Sequence, residues 1–345
     1  MSAPGKPKAN RIGLPREAYT GGPSTLCPGC GHDSITNEIV AAFFELGIPP
    51  HRVAKFSGIG CSSKTPGYFL SRAQGLNGTH GRMPSVATGA NLANRALKPI
   101  GVTGDGDTAS IGLGQFCHLL RRNVELVYVI ENNGVYGLTK GQFSATADLG
   151  SEHKSGGVNQ QTPIDCCRLA IEMGCGFVAR GFSADRAQMV ELLKAALNFP
   201  GTALIDAISP CVTFNNHPSS TKSYAYVKAH EIVLHEVGFV EDAAPLPDPK
   251  LAPGETRELE LHGGARIRLK KLAADYDPTR RLGALQALEE AEGGGAVLTG
   301  LLYFDASRKP FAEQCRLVET PLAGLPSESL RLPREALNEI MADLM

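Results

Sequence analysis

The run VELVYVIENNG at 124–134 is almost unbroken in apolar and β-branched residues and ends on two adjacent amides and a glycine. A strand this apolar on both faces belongs in the middle of a parallel sheet with helices on either side. The run IGVTGDG at 100–106, just after Pro99, likewise passes from apolar to glycine-rich, as a buried strand ending in a loop does. Further strand-like runs, RVAKFSGIG, GFVARGF and TALIDAIS, alternate with helical patterns: GHDSITNEIVAAFFELG, PSVATGANLANRAL, TASIGLGQFCHLLRR, DCCRLAIEMG and DRAQMVELLKAALN. Gly47 reads as the C-cap of the first helix, and Asp107 or Thr108 as the N-cap of the third. Together these predict an α/β fold, an open and mostly parallel sheet with helices on both faces.

The texture changes along the chain. Residues 1–24, rich in Pro and Gly, read as a lead-in, 25–225 as the α/β domain, and 226–345 as a C-terminal extension. Within the extension, EDAAPLPDPKLAPGE is linker-like, TRELELHGGARIRLKK alternates around Gly263 and Gly264 as a hairpin, and RRLGALQALEEAEGGG reads as a helix. The formal net charge is −1 with both signs interspersed, which leaves no basic footprint for nucleic acid or a membrane surface. No run approaches the ~20 apolar residues of a membrane span. The N-terminus lacks the apolar core of a signal peptide, so the expected location is cytoplasmic. Nine cysteines in such a chain are expected to be reduced, metal-bound or catalytic rather than paired.

Ligands of an open parallel sheet sit at the carboxyl ends of its strands, where both glycine-rich loops fall. Gly104 and Gly106 allow close backbone approach, and the following helix would present N–H groups to a phosphate. Asp105 and an Asn side-chain oxygen are hard donors of the kind Mg²⁺ takes. GDGD and NNG are each no more than turns when taken singly; at matched strand ends they suggest a magnesium-bound diphosphate.

GDG followed after 25 residues by NN resembles the thiamine diphosphate signature. The blocks LCPGCGH, GIGCSSKTPGYF, HGRMPSVATGAN and GVYGLTKGQFSAT are similar to the β subunit of 2-oxoacid:ferredoxin oxidoreductases, over roughly 25–150 and more weakly to about 225. The resemblance implies the diphosphate-binding half of the thiamine diphosphate fold. It implies Mg²⁺ ligands at Asp105, Asn133 and the Val135 carbonyl, with Gly104, Gly106 and Asp107 beside the diphosphate. It also implies cofactor contacts at Gly60, Cys61, Ser62, His80, Tyr136, Gly137, Leu138 and Thr139.

CPGC places Cys27 and Cys30 within reach of one metal centre, and Cys61 lies in another strand-end loop. Cys117, Cys166 and Cys167 fall in predicted helices, where a buried thiol is the default; Cys175 lies between glycines and Cys315 far out in the extension. Cys211 leaves a strand at the same sheet edge and is taken as the fourth ligand. The residues alone fit zinc or a [4Fe–4S] cluster; the resemblance implies the cluster.

His32 and His80 adjoin the ligand loops and suit substrate or cofactor contact, although a lone histidine is as often structural. Lys64 and Lys140, with Arg82, are candidates for binding substrate carboxylates, against the usual solvent-facing fate of lysine. In the resembled family the Lys64 position bears on substrate choice, and lysine there points to 2-oxoglutarate. The expected activity is coenzyme A-dependent oxidative decarboxylation of 2-oxoglutarate to succinyl-CoA, or the reverse, with electrons passing through the cluster to ferredoxin. The aminopyrimidine half of the site does not fit in this chain, so an α subunit is expected to supply it, in an α2β2 assembly. The alternatives are pyruvate or another 2-oxo acid, a non-oxidative decarboxylase subunit with zinc, and an inert scaffold.

Overall fold

The computed structural model describes residues 9–152, 157–217, 219–240, 256–260, 266–271 and 276–344. In chain order the elements are α1 (Gly31–Leu46), β1 (Val53–Ser57), β2 (Gln74–Asn77), α2 (Met83–Ala93), β3 (Lys98–Gly104), α3 (Leu113–Arg122), β4 (Leu126–Asn132), β5 (Val135–Tyr136) and β6 (Gln142–Phe143). Then follow α4 (Cys166–Glu172), β7 (Phe177–Phe182), α5 (Arg186–Asn198), β8 (Thr202–Ile208), α6 (Tyr224–His230), β9 (Glu231–Val233) and β10 (His235–Val240). The last are β11 (Thr256–Glu260), β12 (Arg266–Lys271), α7 (Arg281–Gly294), β13 (Val297–Phe304), α8 (Phe311–Gln314) and α9 (Arg334–Asp343).

Eight strands form one sheet in the order β2-β1-β3-β4-β8-β7-β13-β9. All neighbours are parallel except β13, which runs antiparallel to β7. β4 and β8 sit at the centre and are buried at every position, which is why their sequences do not alternate. One apolar core packs α1 and α5 against one face of the sheet; a second, with Phe116, Leu119, Cys166, Ile171 and Leu288, packs α3, α4 and α7 against the other. Among the described residues no helix is long and apolar enough to cross a membrane.

Residues after 225 contribute β9 and β13 to this sheet and lay α7 over it. β10, β12 and β11 make a separate antiparallel sheet in which Glu260 pairs with Arg266. The turn expected at Gly263 and Gly264, the linker at 241–255 and residues 1–8 of the lead-in lie outside the described residues. α1 closes as expected: Gly47 adopts φ 60°, and its amide reaches the carbonyls of Phe43 and Phe44.

On the buried side of α1, Glu38 is 1% exposed and one of its carboxylate oxygens has no hydrogen-bond partner. Burial pushes this carboxyl up to about 8, with Arg186 pulling it down and Asp185 pushing it up. A folded-state value above the unfolded one means that the stability penalty is absent below about pH 4.5 and complete above about pH 8. Glu38→Gln is therefore expected to stabilise the chain by on the order of 3 kcal/mol at alkaline pH. Paired melting curves should show the gain shrinking to nothing near pH 4.5.

Candidate functional site

β3 and β4 are adjacent and parallel, with Gly104 opposite Glu131, so the loops that follow them emerge side by side. Asp105 is 1% exposed. One of its carboxylate oxygens accepts the Ser144 hydroxyl and the Thr146 hydroxyl, the latter at 2.6 Å, and the other accepts the Asn133 amide N–H at 3.4 Å. Burial raises its carboxyl, and these donors offset only part of that rise. A buried carboxylate with no cationic side chain among its partners is a place where a bound cation recovers lost solvation. At Asn133, the side-chain oxygen accepts from Val135 N at 3.0 Å, and Gly134 takes φ 74° to turn the chain.

Asp107 is not the N-cap of a helix. Its side chain ties three loops together, accepting from Ile59 N at 3.2 Å, Gly81 N at 2.8 Å and the Thr103 hydroxyl at 2.6 Å, with His80 Nδ1 against the same oxygen as the two amides. Thr108 does not cap either; its hydroxyl pairs with Tyr128. With Asp107 so occupied, Gly106–Ile111 forms a wide turn, closed by Gly112 N on the Asp107 carbonyl at 2.9 Å, before α3 begins. A side chain at Gly58 would overlap the Asp107 carboxylate. Gly58→Ala is expected to cost about 2 kcal/mol or more in denaturant unfolding, because the clamp has no room to yield.

His32, at the start of α1, is 1% exposed, and burial lowers its imidazole to about 4, so the ring is neutral at physiological pH. Its Nδ1 lies 2.5 Å from Ser209 Oγ and its Nε2 lies 3.4 Å from Asn133 Nδ2. An amide nitrogen only donates, so Nε2 is the acceptor and Nδ1 carries the proton. His32 thus orients Asn133 as a neutral partner rather than as a cation.

Around these groups lies a cavity of about 90 Å³. Its lining holds His32; Gly60, Cys61 and Ser62; His80; Gly104, Asp105, Gly106 and Asp107; and Asn133, Val135, Tyr136, Gly137, Leu138 and Thr139. Tyr136 donates to the Gly106 carbonyl at 3.0 Å, and a side chain at Gly106 would overlap its ring. Lys64, Arg82 and Lys140 do not line this cavity and are exposed.

Two further residues shape the site. Glu131 lines the cavity, fully buried, with neither oxygen hydrogen-bonded; burial raises its carboxyl well above the usual range. Lys55 of β1 is buried and donates to the carbonyls of Pro66, Phe69 and Leu70 at 2.6, 2.8 and 3.0 Å, which holds the loop that begins at Cys61. The signal for both was a charged residue inside an otherwise apolar strand.

The cysteines divide into two sets. Cys166, Cys167 and Cys175 are buried core thiols, Cys117 is half-buried on α3, and Cys315 is exposed. Cys61 and Cys211 both approach Gly137, where an added Cβ would come within 3.4 and 3.7 Å of their sulfurs. In the CPGC turn, Cys30 N donates to the Cys27 carbonyl at 3.0 Å, Gly29 takes φ 80°, and Thr213, two residues after Cys211, reaches Cys27 Sγ at 3.5 Å. Burial pushes the Cys30 thiol up to about 12, and the charge of Cys211 adds to the rise. Burial also raises Cys61, with Cys211 and Cys27 adding to it and Lys64 lowering it. Mutual repulsion among thiolates with so little cationic support is what metal ions relieve.

Among the described residues no three His, Cys, Asp or Glu side chains gather around a single ion. At the Asp105 loop this matches the donor set, one carboxylate with an amide and a carbonyl, to which a diphosphate would add the remaining oxygens.

A strand-end cavity beside a buried acid and a turned amide in a parallel α/β sheet is the kind of place that suits a metal-held diphosphate. Residues 58–207 match the thiamine pyrophosphate enzyme C-terminal TPP binding domain. The chain belongs to the family of 2-oxoacid:ferredoxin oxidoreductase β subunits. It is 44% identical over 199 residues to the 2-oxoacid:ferredoxin oxidoreductase subunit beta of Saccharolobus solfataricus, covering 57% of this chain and 65% of that one. Against the 2-oxoglutarate synthase subunit KorB of Methanocaldococcus jannaschii the identity is 37% over 193 residues, 56% of this chain and 71% of that one. The 2-oxoglutarate oxidoreductase subunit KorB of Mycobacterium tuberculosis is 41% identical over 191 residues, 55% and 51% of the two chains. The match thus spans about 65% of the length of the Saccharolobus subunit. In structure, the chain superposes on 2-oxoglutarate:ferredoxin oxidoreductase from Magnetococcus marinus, solved with 2-oxoglutarate, coenzyme A and succinyl-CoA bound, with TM-score 0.71 and 28% identity, covering 93% of this chain and 97% of that one.

Proposed function

We propose that this chain is the cofactor-bearing β subunit of an enzyme that oxidatively decarboxylates 2-oxoglutarate to succinyl-CoA, or runs the reverse reaction, with ferredoxin as electron carrier. The observation that carries this reading is that Cys61 lines the same cavity as Asp105 and Asn133 and, with Cys211, brings its sulfur close to Gly137. In this reading the diphosphate cradle and the set of thiol ligands share one wall.

In this reading Asp105, Asn133 and the Val135 carbonyl hold Mg²⁺, and Cys27, Cys30, Cys61 and Cys211 hold a [4Fe–4S] cluster. When bound, thiamine diphosphate supplies a carbanion to attack the 2-oxo carbon, and the cluster accepts single electrons. The chain's own work is positional. Asp107 staples the three loops, Lys55 pins the loop after Cys61, and neutral His32 fixes the Asn133 amide. Lys64, Lys140 and Arg82 stand at exposed positions, where they recognise the carboxylates of a dicarboxylic substrate once a partner subunit closes over them. An α subunit supplies the aminopyrimidine half of the site, in an α2β2 complex.

The test is turnover by the co-expressed complex with coenzyme A and a viologen dye. Reduction with 2-oxoglutarate well above that with pyruvate is expected. Equal or greater rates with pyruvate would overturn the substrate assignment, and a colourless, zinc-containing complex would overturn the redox one.

A further inference from the structure

Asn132, the first amide of the NN pair, is 5% exposed and has no part in the metal set described above. It ends β4, and its side chain reaches sideways to β8, donating to Asp206 Oδ1 at 2.9 Å. Asp206 is in turn held by Arg180 of β7, whose Nε donates to Oδ2 at 3.1 Å. Arg180 and Asp206 face each other in register across β7 and β8, and the Arg180 guanidinium also binds both oxygens of Asp165 at 2.8 Å. A row of polar groups, half-buried at Asp165 and Arg180 and buried at Asp206 and Asn132, thus runs from the start of α4 to the neighbour of the cavity-lining Asn133.

The orientation of Asn132 follows from that row. A carboxylate only accepts, so Asn132 must show Asp206 its NH₂ group and turn its oxygen the other way. There it meets the Thr146 hydroxyl at 3.0 Å. The same hydroxyl lies 2.6 Å from Asp105 Oδ2. Thr146 has one proton and three acceptors within reach, the third being Ser144 Oγ at 3.1 Å.

Without a cation on Asp105, its carboxylate, the nearest acceptor, takes that proton. A divalent cation on Asp105 draws charge from the carboxylate and weakens it as an acceptor. The hydroxyl then needs another acceptor: Ser144 Oγ already accepts the Thr146 N–H at 3.3 Å, whereas an Asn132 oxygen turned toward the hydroxyl, at 3.0 Å, offers the nearer one. We propose that Asn132, oriented by Asp206 and Arg180, is a positioning residue of the metal site that accepts the Thr146 hydroxyl when a divalent cation loads Asp105. The inference rests on the function proposed above.

The test is calorimetric titration of Mg²⁺ into the purified complex, stripped of cofactor and supplied with thiamine diphosphate. Asn132→Leu is expected to weaken Mg²⁺ about 10-fold or more, as loss of a partner behind a metal ligand does. Asp206→Asn, which keeps every side chain's size but turns the Asn132 amide around, should give a loss of similar size. The informative readout is the cycle with Thr146→Val. Without the hydroxyl Asn132 has nothing to accept, so adding Asn132→Leu should then change Mg²⁺ affinity by less than about twofold. Equal losses in both backgrounds would show that Asn132 merely holds β4 to β8 and would overturn the inference, as would parent-like affinity in Asp206→Asn. A parent complex with no Mg²⁺-dependent uptake of thiamine diphosphate would instead overturn the proposed function itself.

Discussion

Asp105→Asn is expected to leave the chain folded, with an equal or higher melting temperature, while the complex loses thiamine diphosphate. The two effects have one origin. Burial raises the Asp105 carboxyl against the pull of Ser144, Thr146 and the Asn133 amide, so the charge is a burden on the empty fold. Removing it relieves that burden and also removes the carboxylate of the proposed Mg²⁺ site. Loss of an outer-shell partner already costs about 10- to 100-fold in metal affinity, so loss of the charged ligand should exceed that. Binding of thiamine diphosphate at several Mg²⁺ concentrations, with a melting curve for each protein, checks both halves. An acidic turn with no cofactor role would give the stability gain with binding unchanged.

The second large effect concerns the thiols. Serine at Cys27, Cys30, Cys61 or Cys211 is expected to abolish the visible absorbance of an iron–sulfur cluster and electron transfer to an acceptor dye, whereas Cys117→Ser and Cys315→Ser should leave both intact. The structural basis is the shared surroundings of the first set: Cys61 and Cys211 approach Gly137, the charge of Cys27 acts on Cys61, and that of Cys211 acts on Cys30. Cys30, pushed up to about 12, holds its proton at neutral pH until a metal displaces it. Iron loading of the apo-complex should therefore release protons, measurable in weakly buffered solution. Retention of the chromophore in Cys211→Ser would mean that the fourth ligand lies elsewhere.

Strands, helices and the two glycine loops were legible because they depend on local periodicity and on turn chemistry at Gly47, Asp105 and Asn133. The parallel sheet followed from the uninterrupted apolar runs at β4 and β8. Less visible was whatever depends on a distant partner. Asp107 has the position of a helix cap, yet its oxygens are taken by Ile59, Gly81 and Thr103, which no local pattern reveals. Ser144 and Thr146, the direct donors to Asp105, sit about forty residues further along in a loop of small residues that gives no periodic signal. Asn132 and Asn133 look alike in sequence but face different neighbours, one toward Asp206 and the other toward His32. β13 is not among the strands expected from the sequence, although its run is buried at every position, and its antiparallel direction is not encoded by alternation or length.

The central claim is that a magnesium-held diphosphate and a four-thiol iron cage share one wall. It is tested most directly by an anomalous map, recorded across the iron edge, of crystals of the complex grown with thiamine diphosphate and Mg²⁺. The expected result is iron density enclosed by the sulfurs of Cys27, Cys30, Cys61 and Cys211, and Mg²⁺ bonded to Asp105, Asn133 and the Val135 carbonyl. A lone zinc among those sulfurs, or diphosphate bound away from Asp105, would contradict it.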